Sequence, residues 1–174
     1  YLIKFRANLK ETKYLQSKKL IWRDVDSCFN GRIRTGIIMN LKFKDPILFL
    51  QKALRIFTFK IKQALQTSII KVNVVFCGLF IKPQTAETSI KHFSTKNEVI
   101  DKNTNIKEWY KDHVERKILN ILEDFQERDS GWALMEIQNL KIHINKYQPI
   151  SVGVSTYVDL PSFIQKKKAV INIK

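Results

Sequence analysis

Carboxylates are too few in this chain to balance its cations. Against 31 Lys and Arg stand 16 Asp and Glu, a formal net charge of +15 over 174 residues. Solubility needs far less, so the excess points to an anionic partner. Glycine and proline are also scarce, 5 and 4 residues, which leaves neither a Gly-rich phosphate loop nor a flexible linker. No apolar run approaches the roughly 18 residues of a membrane-spanning helix, so no membrane span is expected. Two cysteines, Cys28 and Cys77, cannot build a disulfide framework. Cys77 sits in an apolar run where a thiol behaves as a small hydrophobe, so a reducing, intracellular setting, nucleus or cytoplasm, is expected. His92, His113 and His143 show no His-x-x-x-His spacing and no Cys-x-x-Cys accompanies them. Neither a metal nor a cofactor is therefore expected.

What remains is 44% hydrophobic and 27% charged, the composition of one globular domain, which excludes a disordered tail. Asp45-Pro46 can start a helix, the first as cap and the second at a position where no N–H is needed. Ile47, Leu50, Leu54, Phe57, Ile61 and Leu65 then recur every three or four residues, predicting a helix to about residue 66. Ile106, Tyr110, Val114, Ile118, Ile121 and Phe125 keep the same period and predict a second helix over about 105–127, with Gly131 beyond its end.

Strands flank both helices. Ile37, Met39, Leu41 and Phe43 alternate with more polar neighbours, giving a first core strand with the odd-numbered face inward. The β-branched and aromatic run 70–82, the turn residues Pro83 to Ala86 and the segment 88–95 read as a hairpin. Leu140, Ile142 and Ile144 mark a last core strand. The order β-α-β-β-α-β predicts an α+β, ferredoxin-like sandwich, an antiparallel sheet with two helices on one face and the other face free. The expected division is an N-terminal extension over 1–31, the ferredoxin-like core over 32–148 and a C-terminal extension over 149–174. Alternating stretches at 2–9 and near 20–22 are expected to add edge strands or to cover the free face. The chain starts without Met and ends on Ala169-Val-Ile-Asn-Ile-Lys174, a strand cut in mid-course, so a piece of a longer protein is expected.

The charge gathers early. Residues 1–31 hold seven basic and three acidic side chains and residues 32–44 four basic and none acidic, whereas 104–131 hold five and seven. The candidate nucleic-acid-binding residues are Arg6, Lys10, Lys18, Lys19, Arg23, Arg32, Arg34, Lys42 and Lys44, with the run Lys166, Lys167 and Lys168. Interleaved with the first nine are Phe5, Tyr14, Trp22, Phe29 and Phe43. Together they form a pattern that pairs phosphate contact with base stacking. DNA is expected ahead of RNA.

Chemistry finds less support. His92 and Tyr110 invite comparison with rolling-circle nucleases, in which a His-hydrophobic-His pair holds a metal and Tyr attacks the phosphodiester. Both His92 and His143 lack the second histidine, and Tyr110 falls on an apolar stripe. Asp24 with Asp26, and Glu123 with Asp124 and Glu127, have ordinary solvent-facing explanations, and no catalytic triad is present. No catalytic residue is expected within these residues. The rival readings are a structural module that forms homo-oligomers through exposed strands, such as 169–174, and a degenerate nuclease.

The phrases Phe125-Gln-Glu-Arg-Asp-Ser-Gly-Trp132, Ile144-Asn-Lys-Tyr-Gln-Pro-Ile150 and Asp159-Leu-Pro-Ser-Phe-Ile-Gln-Lys-Lys-Lys-Ala-Val-Ile-Asn-Ile-Lys174 carry a resemblance over about residues 69–174. This region resembles reading frames of Maverick or Polinton-like mobile elements and related virus-derived genes of invertebrate genomes. In those proteins such a segment precedes an Asn-x-Asp-x-x-Cys-Phe region and, in longer versions, a protein-primed family B DNA polymerase. The resemblance implies a setting of DNA replication and carries over no catalytic residue.

Overall fold

Asp45 caps the first long helix, its carboxylate accepting the Ile47 amide at 2.8 Å while Pro46 occupies the first turn. This helix, α1 (Pro46–Leu65), buries Phe49, Leu50, Ala53, Phe57, Ile61, Ala64 and Leu65. Of the stripe expected from the sequence, Ile47 is instead exposed and Leu54 half-buried. The computed structural model describes residues 19–29, 31–128 and 131–147. The expectations for 1–18 and 148–174 lie outside them, including Arg6, Lys10, Lys18, Lys166, Lys167, Lys168 and the strand at 169–174.

The strands are β1 (Leu20–Cys28), β2 (Ile33–Asn40), β3 (Ile70–Lys82), β4 (Glu87–Ser94), β5 (Glu98–Ile100) and β6 (Ala133–Lys146). They make one sheet, all pairs antiparallel, in the order β1-β2-β6-β3-β4, with β5 pairing the start of β3. The architecture is α+β, with the helices on one face. From β2 onward the chain runs strand, helix, strand, strand, helix, strand, apart from the short β5. The ferredoxin-like order would place the first and third of these four strands at the centre. Here β6 lies between β2 and β3, so the second and fourth are central. Both crossovers still skip one strand, as in any split β-α-β unit, but β6 rather than β4 fills the gap beside β2. β1 joins the sheet along β2, inside the span read as an N-terminal extension.

Two local expectations are corrected. The first core strand begins and ends earlier than its alternation suggests, and its buried face is the opposite one. Ile38, directly across from Leu140, is fully buried, whereas Ile37 and Met39 lie half-buried on the free face. Asn40 ends the strand: its side chain accepts from the Phe43 amide at 2.9 Å and donates to the Ile137 carbonyl at 2.8 Å. That turn takes Leu41 and Phe43 out of the pleat.

The second long helix is not regular. α2 (Ile106–Tyr110) passes through a π turn, Lys111–Glu115, into α3 (Arg116–Glu127). Ile106, Tyr110, Val114, Ile118 and Leu122 are all buried at successive spacings of four. On a 3.6-residue helix each such step drifts by about 40°, so an unbroken α-helix would rotate the stripe off the core. The wider π turn absorbs part of that drift. Phe57 joins the two helices, its ring 4.8 Å from that of Tyr110 and 5.9 Å from that of Trp109. Phe80, Phe93 and Phe125 interlock at 5.1–5.6 Å between α3 and the sheet.

Candidate nucleic-acid interface

One end of the sheet gathers the beginnings of β2, β3 and α2 with the ends of α1, β5 and β6, as the pairs Ile33 with Asn145, Ile70 with Lys146 and Ile70 with Ile100 require. Loops meeting there leave four hollows, of about 760, 430, 600 and 360 Å³. Lys102 lines the first and second, Thr67 the second and third, and Lys146 the third and fourth. Neighbouring hollows thus share a wall residue, and together they outline one groove from the cleft between α1 and α2 to the β1–β2 turn.

Six cations line it: Lys62, Lys107, Lys102, Arg34, Lys146 and Arg32. Among the described residues none of the six is in an ion pair; the pairs that do form are Lys60 with Asp24, Lys82 with Glu87 and Arg116 with Asp112. Three carboxylates line the same groove and each has other partners. Asp101 accepts from the Thr104 hydroxyl at 2.6 Å and the Asn103 amide at 3.0 Å. The Thr104 hydrogen bond holds its carboxyl below the usual range. Asp24 lies 3.9 Å from the Lys60 ammonium. Asp26 accepts from the Ser27 amide at 2.7 Å and the Cys28 thiol at 3.4 Å, and that second bond raises the Cys28 pKa. The three carboxylates stay charged, so an anion entering the groove meets six cations against three anions, a local excess of positive charge.

Of the residues singled out from the sequence, Arg32 and Arg34 are brought into this groove. Lys19, Lys42 and Lys44 are not. They lie at the far end of β2, whose eight residues span about 23 Å at 3.3 Å each, and the Lys19 ammonium rests 5.9 Å from the Phe43 ring. Arg23 stands across from Ile37 on the free face of the sheet. Sequence reasoning missed Lys62, Lys102, Lys107 and Lys146. Each stands in the last or first turn of a helix, in a loop or at a strand end, and only the strand order shows that those places meet. Trp22 and Phe43 pack against the core, the former beneath Lys60, whereas Phe29 is 77% exposed.

The free face carries polar pairs of its own. The Cys77 thiol lies 3.0 Å from His92 Nδ1, and Thr35 Oγ1 lies 3.1 Å from His143 Nδ1. Burial pushes the Cys77 pKa up and the His143 pKa down, Lys141 adding to the second shift. Burial thus disfavours the thiolate form of Cys77. Among the described residues no three potential ligands cluster to hold a metal ion. Tyr110 is on the other side of the sheet from His92, fully buried, its hydroxyl donating to the Leu50 carbonyl at 2.9 Å. Burial raises its pKa far above the ordinary value. The hydroxyl that a nicking reaction needs is neither exposed nor beside a histidine.

No family model, curated protein or solved structure matches this chain. Among the described residues no helix is long and apolar enough to cross a membrane.

Proposed function

We propose that this chain is a non-enzymatic nucleic-acid-binding module that takes DNA along the groove at the start of β2 and β3. The observation that carries the reading is the placement of six cations, none ion-paired among the described residues, against three carboxylates along four adjoining hollows. They come from four separate stretches of sequence. Lysines scattered only for solubility have no reason to converge where six element ends meet. The overall excess of +15 supports long-range attraction of a polyanion to that groove.

The fold proposed for the module is a rearranged relative of the ferredoxin-like sandwich, built from the same two split β-α-β units. The setting proposed for it is a protein of a DNA-replicating mobile element or virus-derived gene, which rests on the phrases at 125–132, 144–150 and 159–174. The test is binding of the whole chain to mixed-sequence oligonucleotides over a range of salt. A steep fall in affinity with salt is the expected result. Salt-independent or absent binding, with self-association in size-exclusion runs free of nucleic acid, would favour an assembly role instead.

A further inference from the structure

We infer that the hollow at the β1–β2 turn holds one unpaired nucleobase, stacked on Phe29, so that the module's ligand is single-stranded. The inference rests on the nucleic-acid-binding reading above and narrows it. Phe29 carries two costs at once. Its ring is 77% exposed, and its backbone has φ of 52°, a left-handed conformation that a bulky side chain adopts only under constraint. The constraint is the turn itself: the Phe29 carbonyl accepts the Arg32 amide at 3.1 Å, and Gly31 takes φ of 74° beside it. A ring held outward at such cost, at the mouth of a hollow, suits contact with a flat apolar partner.

The hollow's other walls supply what a nucleotide needs. It measures about 360 Å³ and is lined by Phe29, Arg32, Ile33, Asn145 and Lys146, within the size range of small-molecule sites. Arg32 and Lys146 offer charge to the phosphates on either side of a base, and Lys146 continues into the next hollow, which gives the strand a path onward. Asn145 forms part of the wall, and its amide oxygen is buried with no hydrogen-bond partner. Bases inside a duplex have both faces stacked and reach a side-chain ring only after flipping out; an unpaired strand offers its faces freely.

The experiment compares three ligands of equal length on the full chain: a single-stranded DNA, the same strand with abasic sites, which keeps every phosphate, and a blunt duplex. The intact strand should bind roughly tenfold more tightly than the abasic one, the effect of one base on an aromatic ring. Phe29→Ala should abolish that difference and leave abasic-strand affinity and the salt slope unchanged. Phe29→Trp should preserve it, with tryptophan emission quenched by the intact strand only. Equal binding of intact and abasic strands by the native chain, or indifference to Phe29→Ala, would overturn the base-stacking inference and leave the groove reading standing. Failure to bind all three ligands would overturn both.

Discussion

The backbone amide of Lys146 donates to the carbonyl of Arg32 at 2.8 Å, one step beyond the last paired residues of β6 and β2. That bond fixes two cations, more than a hundred residues apart in sequence, on the wall of one hollow. Side chains of like charge held in proximity repel, and an anion between them relieves the repulsion. The sheet's hydrogen bonding, rather than any local motif, brings these two cations together.

The edge of the sheet leading to this groove depends on Gly36. A Cβ there would meet Trp22 Cζ2 at 1.9 Å, closer than atoms approach, so Gly36→Ala must displace the indole. We expect a loss of about 1–3 kcal/mol in urea unfolding, with a shift of tryptophan emission. A silent substitution would mean that β1 does not pair with β2 in this register.

The two helices share a core through Phe57, which is fully buried against Trp109 and Tyr110. Phe57→Ala should cost about 3–5 kcal/mol and Ile118→Ala, also fully buried, about 2–5 kcal/mol. Ile121→Ala should cost less, because Ile121 is only half-buried. Equal losses at 118 and 121 would contradict the helix phase that the π turn sets.

How much of the fold is legible in the sequence follows from particular residues. The start at Asp45-Pro46 and the run 70–82 point directly to α1 and β3, because capping and β-branched content act locally. The inward face of β2 is misleading in the sequence because apolar residues stand on both faces, Ile38 inward and Ile37 outward, and only pairing with Leu140 decides between them. The π turn is invisible there because spacings of four satisfy a coarse helical period. Counting charge finds Arg32 and Arg34, but Lys62, Lys102, Lys107 and Lys146 join them only through the position of β6 between β2 and β3.

Tyr110 serves packing and a single hydrogen bond to Leu50. Tyr110→Phe should therefore lower stability by about 1 kcal/mol and leave DNA affinity unchanged. Incubation with single-stranded DNA and manganese should give no covalent protein–DNA adduct. An adduct that disappears in Tyr110→Phe would establish nicking activity.

His143 gives stability a pH dependence of definite sign. Its pKa in the folded chain lies below the ordinary value, through burial first and Lys141 second. The unfolded chain takes up the proton near pH 6.5. As pH falls from 7 through that value the unfolded state binds more protons, so stability drops until the folded-state pKa is passed. His143→Asn should remove this part of the decline as pH falls below about 7 in thermal unfolding. An unchanged profile would show that His143 carries no such linkage.

Two triple variants remove equal charge from opposite ends of the sheet: Lys62, Lys102 and Lys107 to Gln at the groove, and Lys19, Lys42 and Lys44 to Gln at the far end. The decisive measurement is the slope of log affinity for single-stranded DNA against log salt concentration. The groove variant should flatten it by up to about 2, since on a single strand each phosphate no longer neutralised removes about 0.7, while the far-end variant keeps the native slope. Equal flattening by both, or flattening by the far-end variant alone, would contradict the assignment of the groove as the nucleic-acid interface.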